Sequence, residues 1–248
     1  MDAQRVELAV PGTAHRLGVV RHGHYGRPVL VLPGETGRAE DFDTHGMTEA
    51  IAGLLERGRV SLFCVDAPDG WSWSEGPVSI EEHAHRQTTY SRWLEEAVLP
   101  WVEEQTRGRH EMIALGAAMG AHHAVHFALR RPDVAPLAIG LSGNYDRGSW
   151  QAWGDDGERT YVAGPSAYVA GLAEDHLEQL RSRLSVLLVV GRGASETEPS
   201  GALPSTLRFG RLLEDRQITH QLDVWGDDVG HEWSWWGRQL AHHLPRFC

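Results

Sequence analysis

The chain has 248 residues, 41% hydrophobic and 23% charged, with a formal net charge of −11. That length and composition suit one α/β domain with a sizeable core, and the acidic balance argues against nucleic acid as a partner. No basic, apolar leader and no apolar run of about 18 residues occurs, so neither a signal peptide nor a membrane span is expected, and the expected location is cytoplasmic.

All 23 basic residues are arginine. Schiff-base lysine and Walker-lysine chemistry are therefore excluded. Cys64 lies inside an apolar run and Cys248 is the last residue. Two such cysteines make neither a disulfide framework nor a zinc cluster.

Two strands open the chain, at 5–10 and 16–21. Further strands follow at 28–32, 60–66, 111–116, 136–142, 184–191 and 219–225. The runs at 28, 60, 111 and 184 are almost wholly apolar, as central strands covered on both faces should be. Met47, Ile51, Leu54 and Leu55 recur at helical spacing over 47–57. Ser79-x-x-Glu82 is a capping box opening a helical stretch to about 105. Helices are also predicted over 119–130, over 204–215 beginning near Pro204, and over 233–243. Residues 145–180 break this rhythm with Trp150, Trp153, Tyr161 and Tyr168, and read as a lid-like insertion. The prediction is a single α/β domain over 1–248. Its sheet is mostly parallel, with about eight strands, an antiparallel beginning and helices on both faces.

The stretch Gly116-Ala117-Ala118-Met119-Gly120 falls between a predicted strand and a predicted helix. Serine hydrolases put G-x-S-x-G at that junction, because the nucleophile has strained backbone angles and its neighbours crowd the turn. Here alanine holds the middle position. The same architecture places its acid after a late strand and its histidine before the last helix. Glu196 follows the run ending at Gly191, and His231 precedes the helix at 233. A carboxylate and an imidazole at the carboxyl edge of one sheet can act together, the acid fixing the tautomer of the base. Glu198 and Asp146 compete with Glu196 for the acid role. His122 and His126 have i, i+4 spacing, but no third ligand accompanies them, so no metal site is expected.

The segments VLVLPGETGRAEDF, GAAMGAHHAVHFALRRPDVAPLAIGLSGNYD and WGDDVGHEWSWW resemble the esterase family of the α/β-hydrolase fold, which includes esterase D-like and mycolyltransferase-like proteins. The resemblance runs from about residue 28 to 247. It implies that Ala118 stands on the nucleophile position, His231 on the catalytic histidine and Glu196 on the acid. It implies an oxyanion hole made by the backbone N–H of Met119 and that of Glu35, with Thr36 as the alternative. Glu35 is a departure, since its side chain puts a negative charge beside a site for an oxyanion. His123 and Ser142 match family positions and read as structural.

Alanine cannot be acylated, so the expectation is an esterase-type hydrolase inactive or nearly so as it stands. The alternative is a natural pseudo-hydrolase that binds a ligand or partner, or that runs non-covalent acid–base chemistry. Trp71, Trp73, Trp150 and Trp233 are the predicted walls of a substrate pocket. No cofactor is predicted, and the expected partner is a small-molecule ester or acyl substrate.

Overall fold

The computed structural model describes residues 3–67, 80–108, 111–146 and 164–248. Its centre is an eight-stranded sheet ordered β1-β2-β4-β3-β5-β6-β7-β8. The strands are β1 (Gln4–Ala9), β2 (Arg16–His22), β3 (Arg27–Leu32), β4 (Val60–Val65), β5 (Ile113–Ala117), β6 (Leu137–Leu141), β7 (Ser185–Val190) and β8 (Thr219–Val224). Each falls within two residues of its predicted span. β1 pairs antiparallel with β2, and β2 antiparallel with β4. Every remaining pair is parallel.

Alternate residues of β3 show how the sheet divides the core. Leu30 and Leu32 belong to one cluster of buried side chains, and Val29 and Val31 to the other. A strand buried on both faces has no polar face to display, which is why these runs are almost wholly apolar. β6 is equally buried along its length, although its sequence includes Gly140.

Short helices α1 (Asp41–Thr44), α2 (Met47–Ala50) and α3 (Ala52–Glu56) follow β3. The single helix predicted over 47–57 is therefore corrected to two. Ile51 leaves helical angles between them, at φ −119° and ψ 18°. Met47, Ile51, Leu54 and Leu55 nevertheless all reach the same core cluster, so the apolar spacing reports burial and not continuity.

The stretch ending near 105 contains α4 (Ile80–Trp93), a π-helical turn at Leu94–Val98, and α5 (Leu99–Gln105). Pro100 accounts for the widened turn: it has no N–H to give to a carbonyl four residues back, and its ring crowds that carbonyl. Ser79 of the capping box lies outside the described residues.

α6 (Met119–Arg130) matches its prediction at both ends. Residues 147–163 of the predicted insertion lie outside the described residues. The described remainder forms α7 (Pro165–Ala170) and α8 (Glu174–Arg183), whose Val169, Leu177 and Leu180 are core residues. The short α9 (Ala194–Thr197) follows β7. Next come α10 (Ala202–Asp215) and α11 (Trp233–His243), with a 3₁₀ turn at Leu244–Phe247.

Candidate active site

β5 runs into α6 through a single residue, Ala118, at φ 52° and ψ −120°. This is left-handed territory that alanine occupies only under constraint. Ala118 N–H donates to Leu141 O at 2.9 Å, and Ala121 N–H returns to Ala118 O at 3.1 Å. The flanking glycines are required by space. A Cβ on Gly116 would lie 2.0 Å from Gly120 O, and one on Gly120 would lie 2.1 Å from Leu32 O.

The second collision also locates the neighbouring loop. The chain leaving β3 passes directly against the first turn of α6, bringing Gly34, Glu35 and Thr36 to the same edge of the sheet. Glu35 and Thr36 are exposed, and Thr36 has φ 51°. Met119 is the first residue of α6, so its N–H has no acceptor within the helix.

Glu196 sits in α9, just beyond the end of β7, with no exposed surface. A buried carboxylate needs polar partners, and Glu196 has three. His231 Nδ1 lies 3.1 Å from its Oε2. Ser142 Oγ donates to its Oε1 at 2.5 Å, and Gly191 N–H approaches the same oxygen at 3.4 Å.

His231 precedes α11, and its N–H donates to Ser195 Oγ at 2.9 Å. That bond links the histidine loop to the acid's own helix. The Trp236 ring stands edge-on to the imidazole, with centroids 5.0 Å apart. Trp236 Nε1–H in turn donates to Ser142 Oγ at 3.0 Å. With Nδ1 facing the carboxylate, Nε2 is the imidazole nitrogen left to exchange protons with a bound molecule.

Ser142 is the residue that sequence reasoning undervalued. It follows β6 with φ 51° and is fully buried. Its hydroxyl receives the Trp236 N–H and donates to Glu196, so it fixes which way the carboxylate turns. The available signal was its position: Ser142 ends the strand beside the one that carries Ala118.

Asp146, the competing acid, pairs with Arg208 and accepts from Ser166 at 3.0 Å. Glu198 is exposed. Trp233 stacks on His45 with centroids 4.4 Å apart. It lines a narrow cavity with Gly34, Arg38, Phe42 and Met47. Trp71, Trp73, Trp150 and Trp153 lie outside the described residues. His122, His123 and His126 are buried on α6, with His122 Nδ1 3.1 Å from Asn144 O. Among the described residues no group of three ligands could hold a metal.

Residues 36–247 match the family described as "Putative esterase". The chain belongs to that esterase family. No curated protein matches it. Among solved structures, a ferulic acid esterase superposes with a TM-score of 0.75 at 16% identity, covering 99% of this chain and 96% of its own. An S-formylglutathione hydrolase from Agrobacterium tumefaciens gives 0.74 at 16%, covering 98% and 93%. MPT51 of Mycobacterium tuberculosis gives 0.73 at 16%, covering 99% and 97%. At such identity the likeness concerns the fold, which is that of the α/β hydrolases, mostly parallel with helices on both faces. Among the described residues no helix of this esterase-family chain is long and apolar enough to cross a membrane.

Proposed function

We propose that the chain is an esterase-type serine hydrolase scaffold whose nucleophile position is held by Ala118. As it stands it is inactive, or nearly so, toward carboxylic esters. The observation that carries this reading is the pairing of Glu196 with His231 at the edge where the constrained Ala118 turn lies. The roles follow from the chemistry. Glu196 holds the imidazole tautomer, Nε2 of His231 takes the proton of an attacking hydroxyl, and the N–H groups of Met119 and Glu35 receive the oxyanion. Trp233, with Trp71, Trp73 and Trp150, would wall a pocket for a small ester or thioester. We place this chemistry in the cytoplasm, in one domain over 1–248.

Without the serine oxygen no acyl-enzyme can form, because the carbonyl carbon has nothing to bond to. The test is Ala118→Ser, assayed on short and long p-nitrophenyl esters and with a fluorophosphonate probe. Restored serine should raise ester turnover by about 10⁴-fold or more over the parent chain, and the probe should label residue 118. A folded revertant inert to both would remove the esterase reading.

A second reading has one observation in its favour. Glu35 is exposed in the loop that would supply an oxyanion donor, and its charge opposes an oxyanion. A pseudo-hydrolase that binds a neutral or cationic ligand without covalent chemistry has no such conflict. Glu35→Gly in the serine revertant separates the two: a gain in turnover belongs to the esterase reading.

A further inference from the structure

The sheet has a second concave site, at its other end. A cavity of about 420 Å³ opens where β3 and β4 begin, lined by Arg21, His24, Tyr25, Ser61, Gln105 and Arg107 among others. The Ala118 turn lies at the opposite ends of these strands. Among the described residues no carboxylate lines the cavity, although acids outnumber bases in the chain as a whole.

Arg21 is held in place before any ligand arrives. Its guanidinium lies over the Phe63 ring, 5.8 Å from the centroid. One terminal nitrogen donates to Gln105 Oε1 at 3.1 Å and the other to His24 O at 3.0 Å. Both acceptors are neutral, so the positive charge is left uncompensated by them. Its Nε is buried and has no hydrogen-bond partner. Burial pushes the guanidinium below its ordinary pKa.

Ser61 gives the independent sign of a ligand. It is 1% exposed, and its Oγ has no partner. It is the second residue of β4 and lines the cavity, at a position where an apolar residue would be the ordinary choice for a buried strand. A buried hydroxyl without a partner carries a desolvation cost that a bound acceptor would remove.

We propose that this cavity binds a small organic oxyanion, a phosphate monoester or a carboxylate, through Arg21, Arg107 and the Ser61 hydroxyl. A guanidinium with free N–H groups matches the paired oxygens of either anion. The volume exceeds what a bare ion needs and falls in the range of small-molecule sites. Exposed Tyr25 at the rim offers a face for the organic part. The site is independent of the nucleophile position and stands whether or not the esterase reading does.

Titration calorimetry of the unmodified chain with phenyl phosphate and with benzoate tests the proposal, one arm for each anion. Saturable binding of at least one is expected, weakening as salt is added. Arg21→Gln should lower its affinity about tenfold or more, since a charge-assisted contact is lost. Ser61→Ala should lower it by a smaller factor. Exposed Arg107→Ala keeps the test decisive if Arg21→Gln fails to fold. The proposal is overturned if neither ligand saturates. It is equally overturned if affinity is unchanged in Ser61→Ala and Arg107→Ala.

Discussion

At the scale of single residues, the alanine at 118 and the serine at 142 are complementary. Ala118 holds strained angles that its own methyl group has no use for, whereas Ser142 holds similar φ and uses its hydroxyl twice. The hydroxyl between Trp236 and Glu196 should matter only when there is chemistry to support. In the Ala118→Ser background, Ser142→Ala leaves Glu196 Oε1, among the described residues, with the 3.4 Å contact from Gly191 N–H. The carboxylate can then rotate away from His231. We predict a fall in kcat of about tenfold with KM nearly unchanged, because the lost bond orients the base and touches no substrate. Steady-state kinetics on p-nitrophenyl acetate reads this directly. An equal rise in KM would mean instead that Ser142 shapes the binding surface. The carboxylate itself should be worth more. Glu196→Gln in the same background should cost about 10⁴-fold in kcat, the effect of presenting the wrong imidazole tautomer.

At the scale of elements, two helical glycines make opposite predictions. Gly120 lies in the first turn of α6 against the exit of β3, where any Cβ meets Leu32 O at 2.1 Å and Pro33 O at 2.6 Å. Backbone cannot step aside as a side chain can. Gly120→Ala should therefore destabilise the fold by about 3 kcal/mol or more, at the upper end of overpacking costs. Gly210 lies inside α10, where a Cβ would touch only Leu222 Cδ2 at 3.5 Å and Leu188 Cδ1 at 3.9 Å. Those are ordinary contacts, and alanine is the better helix former. Gly210→Ala should stabilise by about 0.5–1 kcal/mol. Urea unfolding of the two variants checks both signs together. The same contrast explains what the sequence made legible. The central strands announced themselves because burial on both faces leaves almost only apolar residues. The helix at 119–130 did so because its glycine frame is dictated by contact. The break at Ile51 left no trace, since two short helices turning the same side chains inward present one helical spacing. Ser142 gave its position but not its role, because its partners Glu196 and Trp236 are 54 and 94 residues away along the chain.

At the scale of the whole molecule, the histidines decide how the fold responds to acid. Composition gives their number, 15, but not which are buried. His22 on β2 and His243 at the end of α11 are 3% and 1% exposed. Burial lowers the pKa of both. For His22 this outweighs the field of Asp43, and for His243 it outweighs Asp223, whose carboxylate lies 2.9 Å from Nε2. A histidine whose folded pKa is lowered binds its proton more readily in the unfolded chain. Its contribution to stability is complete above the unfolded value of about 6.5, and it is lost as pH falls from there toward the folded value. Each such group can add a slope of up to about 1.4 kcal/mol per pH unit within that window. Stability measured by urea midpoint should therefore be flat from pH 8 to about 7 and decline below about 6.5, the carboxylates adding their own losses only at lower pH. His22→Gln removes one of these titrating groups without adding a charge. Its absolute stability will shift through altered packing, but the decline between about pH 6.5 and 5.5 should become shallower than in the parent chain. An unchanged slope would show that His22 takes up its proton equally in the folded and unfolded chains, and would leave the acid sensitivity to His243 and the buried histidines of α6.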